Sequence, residues 1–188
     1  MPQVFMLASH GIFVHGNDVD SIREAYAHIL NTLEQVYREA GVETGVAPGP
    51  APSPDTVHHV HDRLKQWLGD AAEAIAPSGI FAVPKGPISP DHIVYALSYP
   101  YCGPLEEGGL RGYVETHGLA PRVVATAEGV FGIGPQQRTA DRALEFARDG
   151  AEIEQLAAAF GGVLTLGVAN RRFIEDWEVE AYRRTVSG

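Results

Sequence analysis

Histidine and acidic side chains are the groups through which this chain could bind a metal ion or move a proton. His10 lies between two short apolar runs, residues 4–7 and 12–14, which predict a closely linked antiparallel pair of strands buried on both faces. An imidazole in the turn between two strands can be a metal ligand. A lone histidine beside a strand is more often a surface or hydrogen-bonded residue, so spacing alone leaves both interpretations open.

A second group of histidines comprises His58, His59 and His61, within residues 55–68, where the apolar spacing predicts a helix. On a helix, residues 59 and 61 lie about 200° apart and cannot easily share an ion. His58 and His61 are one turn apart and could share one. The alternative is that these rings lie on a solvated helix face.

Asp91 and His92 form an adjacent acid and imidazole. They end a proline-bounded turn, residues 86–92, and precede a predicted short strand at residues 93–95. Such a pair can orient a proton or a metal ion. Adjacent side chains on an extended segment point to opposite faces, however, so the alternative is that Asp91 caps the turn and His92 bonds to backbone.

Gly132 and Gly134 form a Gly-x-Gly before a predicted helix. A dinucleotide site requires a third glycine, and a P-loop requires Gly-Lys, so a tight turn is the better interpretation and no nucleotide cofactor is expected.

The elements that position these residues follow a strand–strand–helix pattern that occurs twice. Residues 1–16 precede a predicted helix at 21–40, and residues 121–134 precede one at 139–160. Aligning the two copies places His10 opposite Glu128. The sequence therefore predicts an α/β fold with a mainly antiparallel sheet covered by helices, in which the strand–strand–helix unit is repeated twice on one sheet.

A proline-rich segment, residues 44–54, cannot form a helix or a central strand and predicts an exposed linker. It divides the chain into residues 1–43, the end of a first unit, and residues 55–188, a second unit. The second unit adds a predicted strand at 79–83, a helix at 105–117 and a C-terminal helix. The apolar stripe of that last helix consists of Phe173, Ile174, Trp177 and Ala181.

Composition limits the classes of partner. Fourteen basic and twenty-four acidic residues give a formal charge of −10, which disfavours nucleic acid and anionic membranes as partners. Cys102 is the only cysteine, so an internal disulfide is excluded. The first residues contain no basic leader, and no apolar run approaches the roughly 20 residues that span a bilayer, so we expect a cytoplasmic protein.

The segment at residues 6–16, MLASHGIFVHG, resembles the NHG-(I/L)-F-V-x-G segment of the class II aldolase/adducin family. In that family the histidine is the third imidazole on a catalytic zinc ion, and the resemblance implies the same role for His10. Residues 86–95, 121–124 and 173–183 resemble later segments of the longer members. The resemblance thus runs nearly end to end.

This chain lacks several parts of the family pattern. The family's catalytic carboxylate, its His-x-His zinc ligands and its phosphate-binding turns lie upstream of the segment with which this chain begins, and Ser9 stands where the family often has Asn. The resemblance implies a C-terminal part or subunit of an aldolase-like protein, whose intact relatives cleave a sugar or sugar-phosphate carbon–carbon bond with zinc.

One imidazole cannot build a zinc site, because structural and catalytic sites both use at least three protein ligands. We therefore expect the isolated chain to be inactive, with zinc held only if another chain or an N-terminal part completes the site. Expected partners are a second copy of the chain or a separate subunit carrying the N-terminal half, and a sugar-type small molecule. The alternative is a non-catalytic assembly or binding module derived from the aldolase fold.

Overall fold

The computed structural model describes residues 3–177 as an α/β structure in which helices cover a mainly antiparallel sheet. The predicted fold class is confirmed. In chain order the elements are β1 Val4–Leu7, β2 Gly11–Val14, α1 Val19–Glu39, α2 Pro54–Leu68, β3 Ala74–Ser78, α3 Pro90–Ala96, β4 Tyr101–Cys102, α4 Glu107–His117, β5 Val123–Thr126, β6 Gly129–Gly134, α5 Gln137–Ala157 and α6 Val168–Asp176. Short 3-10 turns, Gly69–Ala72 and Ala158–Phe160, follow α2 and α5.

The central sheet has the strand order β3-β6-β5-β4, with β4 parallel to β5 and the other pairs antiparallel. Alternate side chains of β5 and β6 point to opposite faces, so each face has its own core. Val123 and Val130 pack beneath α5, whereas Val124 and Phe131 pack against α2 and α4. The sheet is therefore buried on both faces, as in an α/β layer structure.

Gly132 and Gly134 lie within β6 and not in a tight turn, so that interpretation is wrong. A Cβ atom on Gly132 would lie 2.0 Å from the carbonyl oxygen of Ala140 in α5. These glycines let α5 approach the strand backbone closely, which gives the Gly-x-Gly a packing role.

The prediction that both strand–strand–helix units share one sheet is wrong. The unit occurs twice in chain order, as β1-β2-α1 and β5-β6-α5, but β1 and β2 form a separate two-stranded sheet. Both edges of β5 and of β6 are occupied within the central sheet, and β1 and β2 pair only with each other. The β1–β2 hairpin is also not buried on both faces, since Phe5 and Phe13 are 45% and 52% exposed.

Two short strands were predicted in the wrong place. Residues 79–83 are irregular, and the strand lies just upstream as β3. Residues 93–95 belong to α3, because Pro90 occupies its first turn, where proline favours a helix start. Ile93 and Val94 are buried side chains of this helix.

Residues 44–53 are irregular, as expected of the linker, but they lie against the second unit. The Gly49 amide donates to the Ile80 carbonyl at 2.8 Å, and the side-chain amide of Gln155 in α5 donates to the carbonyls of Glu43 and Gly45. This segment is therefore held in place by hydrogen bonds.

The predicted C-terminal helix is α6, which ends at Asp176, so Trp177 follows its end. Phe173 and Trp177 contact each other with ring centroids 5.7 Å apart, and both are exposed. Ala181 lies outside the described residues. Among the described helices, none has the length and apolar content needed to cross a bilayer.

Candidate functional site

His10 lies in the turn that connects β1 to β2. Its amide donates to the Leu7 carbonyl at 3.2 Å, and its exposed ring stacks on Phe13 with centroids 6.1 Å apart. Ser9 and Gly11 on either side adopt positive φ angles of 57° and 133°. These angles close the turn, and asparagine and glycine tolerate them better than serine does.

Apolar side chains surround this turn without covering it. Phe5, Met6, Leu7 and Phe13 are 45%, 72%, 49% and 52% exposed, and we call these four residues the hairpin surface. α1 follows the hairpin and contains no buried residue. Phe5, Leu7 and Phe13 lie on one face of the hairpin and Met6 on the other. Clustered exposed apolar side chains of this kind mark interaction sites.

His58 and His61 each have a separate partner, so the structure does not bring them to one point. His58 lies 3.4 Å from the Asp62 carboxylate on the exposed side of α2. The Nε2 atom of His61 lies 3.1 Å from the carbonyl oxygens of Ala72 and Glu73. His61 thereby ties α2 to the end of the following 3-10 turn.

Asp91 and His92 both lie in the first turn of α3, where Asp91 is exposed and His92 is buried. The Nδ1 atom of His92 is hydrogen-bonded to the Ser89 hydroxyl at 2.8 Å, so the expected bond to backbone is replaced by one to a side chain. The Nε2 atom lies 3.5 Å from the Asp149 carboxylate of α5. This contact is an ion pair only if the ring is protonated. Nε2 is buried and makes no hydrogen bond that meets the geometric criteria within the described residues.

The surroundings of His92 favour the neutral ring. Burial lowers the pKa of His92, although the carboxylates of Asp149 and Asp91 act in the opposite direction. The edge of the imidazole meets Phe146 at a centroid distance of 5.5 Å. A serine, a histidine and an aspartate thus meet here, but the imidazole is 6% exposed and joins α3 to α5. We interpret this group as structural.

No three histidine, cysteine, aspartate or glutamate side chains within residues 3–177 are placed to hold one metal ion. Zinc in proteins takes at least three side-chain ligands. A zinc ion bound through His10 would need its remaining ligands from outside these residues.

A group of polar and aromatic side chains that sequence reasoning missed lines a cleft of about 560 Å³ between α3, α4 and α6. Arg171 of α6 donates from Nη1 to both oxygens of Glu175, each at 2.9 Å. Its guanidinium lies over the Tyr99 ring, 5.3 Å from the centroid. The Ser98 hydroxyl donates to Glu175 and ties α6 to the segment after α3.

The aromatic wall of this cleft consists of Tyr99, Tyr113 and His117. The Tyr113 hydroxyl donates to the Tyr99 carbonyl at 2.6 Å, and the His117 ring lies 4.4 Å from Tyr113 and 5.0 Å from Tyr99. Burial raises the pKa of Tyr113 to about 12, so this hydroxyl stays a donor at neutral pH. The only sequence signal for the cleft is the i, i+4 spacing of Arg171 and Glu175, which also fits a solvated helix face.

Comparison with protein-family models, curated proteins and solved structures gives no match for this chain. The resemblance to class II aldolases therefore rests on the sequence motifs alone.

Proposed function

We propose that the chain is the C-terminal part or a subunit of a class II aldolase-like protein. In this proposal His10 supplies one imidazole to a zinc ion whose other ligands come from another polypeptide or from an upstream N-terminal part. The observation that carries the proposal is the setting of His10. Its ring is exposed at the tip of a hairpin and makes no hydrogen bond with any residue from 3 to 177.

The residues around His10 suit a metal site whose other ligands come from another polypeptide. Stacking on Phe13 limits the orientations of the ring and leaves its nitrogens accessible. A zinc ion bound there would act as a Lewis acid on a sugar carbonyl, as the family resemblance implies. The chain's own contribution is to hold an imidazole at the point where a second polypeptide would approach.

The second candidate function is a non-catalytic assembly module. The hairpin surface and the exposed apolar side chains of α1 favour this module, because an assembly module needs a partner that covers its apolar side chains. The aldolase-like proposal needs such a partner as well. The partner is a second copy of the chain or a subunit carrying the N-terminal half. Only the aldolase-like proposal requires that His10 bind zinc.

A zinc titration of the purified chain, monitored through the NMR signals of the histidine ring protons, distinguishes the two candidate functions. We expect weak zinc binding at His10, lost in His10→Ala and kept in His58→Ala/His61→Ala, because a single imidazole binds zinc weakly. An aldol-cleavage assay should show negligible turnover by the chain alone. Tight stoichiometric binding that survives His10→Ala but disappears in the double variant would contradict the proposal, as would turnover by the isolated chain.

A further inference from the structure

Arg171 lines the cleft between α3, α4 and α6. Its Nη1 atom makes both bonds to Glu175, whereas Nη2 and Nε have no hydrogen-bond partner in the described part of the chain. The side chain is only 17% exposed, and its plane is fixed by Tyr99. An arginine edge with two free N–H groups matches the two oxygens of a planar carboxylate.

The charges that line the cleft disfavour a simple anion. Among the described residues that line the cleft, Arg171 is the single positive side chain, and Glu175 and Asp176 are negative. Asp176 is exposed and forms no ion pair among residues 3–177. A ligand that brings a positive group to Asp176 together with a carboxylate for Arg171 satisfies both charges.

The remaining lining can take an uncharged side group. Tyr99, Tyr113 and His117 form one wall, and Leu97 and Leu119 add aliphatic surface. The volume of about 560 Å³ lies within the range of small-molecule sites. The hydrogen bond from Tyr113 to the Tyr99 backbone keeps the wall in place without a ligand.

Backbone strain at Leu97 independently points to this cleft. Leu97 has φ 66° and ψ 169°, a conformation that is almost exclusive to glycine. It ends α3 and directs Ser98 so that its hydroxyl reaches Glu175. Strain of this kind persists where the surrounding structure enforces it, and it is concentrated at ligand-binding positions.

We infer that this cleft is a binding site for a small zwitterion of the α-amino-acid type. Its carboxylate binds the free edge of Arg171, its ammonium group faces Asp176, and its side chain lies against the aromatic wall. This site uses neither His10 nor zinc, so the inference does not rest on the proposed function.

The test is an NMR titration of the full-length chain with each proteinogenic amino acid at millimolar concentration. We expect at least one amino acid to shift the ring signals of Tyr99, Tyr113 and His117. Its N-acetyl derivative, which lacks the ammonium charge, and its amide, which lacks the carboxylate, should each bind roughly tenfold more weakly or worse, because each loses one charge-assisted contact. A neutral hexose serves as the competing class of ligand.

Variants on one helix assign the two contacts. Arg171→Gln should weaken binding of the amino acid, and Asp176→Asn should weaken it without changing the affinity of the N-acetyl derivative. Arg172→Gln, which removes an exposed charge on α6, is the matched control and should leave binding unchanged. If Arg171→Gln displaces α6, the Asp176→Asn comparison still decides the outcome. Absence of binding by every amino acid, or equal binding of the hexose, would overturn the inference.

Discussion

His92 is an imidazole that the fold keeps neutral at a junction of two helices. Its Nδ1 is hydrogen-bonded to the Ser89 hydroxyl, its ring contacts Phe146, and Asp149 faces Nε2 from α5. Burial outweighs the attraction of Asp149 and Asp91, so the net effect is a lowered pKa. The stability of the protein should therefore depend on pH through this residue.

The expected direction follows from which state takes up the proton first. Because the folded pKa of His92 lies below the ordinary value of 6.5, the unfolded chain is protonated first as the pH falls. The stabilisation linked to His92 is fully present above the pKa that this histidine has in the unfolded chain. It is lost as the pH falls from that pKa towards the lower pKa of the folded state.

Urea denaturation between about pH 7.5 and pH 5 measures this dependence. The wild-type free energy of unfolding should fall with pH, and His92→Gln, which does not titrate, should show a smaller fall. His58→Gln on the exposed side of α2 is the control and should keep the wild-type slope. Equal slopes for the wild type and His92→Gln would rule out this linkage.

Residue type alone could predict the position of His10 but not the partners of His92. His10 is placed by its immediate neighbours, since the glycine after it and the two apolar runs specify a hairpin. Asp149 meets His92 only because α5 packs on α3, and Arg171 meets Tyr99 only because α6 packs beside the segment after α3. Those contacts depend on tertiary packing, which no local pattern encodes.

The sequence predicts the positions of the helices but not those of several strands. The 3.6-residue apolar period of α1, α2 and α5 extends over several turns, so it locates each helix to within a few residues. β3 contains Pro77, which normally argues against a central strand, but β3 is an edge strand and tolerates it. The apolar run at residues 93–95 is too short to show a period.

Two glycines inside helices give opposite predictions for the same substitution. In a helix, Gly→Ala ordinarily stabilises by about 0.5–1 kcal/mol, because glycine loses more backbone entropy on folding. Gly112 of α4 has open space around a new Cβ. Gly150 of α5 has Pro84 Cγ at 2.8 Å and His92 Nε2 at 3.1 Å from that position.

We therefore expect Gly112→Ala to raise the free energy of unfolding by about 0.5–1 kcal/mol. Gly150→Ala should lower it by about 1–3 kcal/mol, because a side chain forced into a packed contact displaces α3 or α5. Chemical denaturation of both variants, with the unchanged chain as reference, measures the difference. A stabilised Gly150→Ala would mean that α5 does not pack on α3 as closely as described.

At the scale of the whole molecule, the buried core and the exposed apolar surface belong to different parts of the chain. The central sheet buries both of its faces, whereas the hairpin surface and α1 remain open. Leu30, Leu33 and Val36 on α1 are 55%, 40% and 38% exposed. An amphipathic helix of this kind is normally covered on its apolar side.

We expect the chain to self-associate through the hairpin surface and α1 when no other subunit is present. Its formal charge of −10 opposes contact between copies, and salt screens that repulsion, so added salt should strengthen association. Light scattering at increasing protein concentration, at low and moderate salt, measures the mass. Met6→Ser/Phe13→Ser should shift the equilibrium towards monomer. Leu164→Ser, at a residue 85% exposed and outside both elements, is the control and should not shift it. A monomer at every concentration and salt level would contradict self-association through these elements.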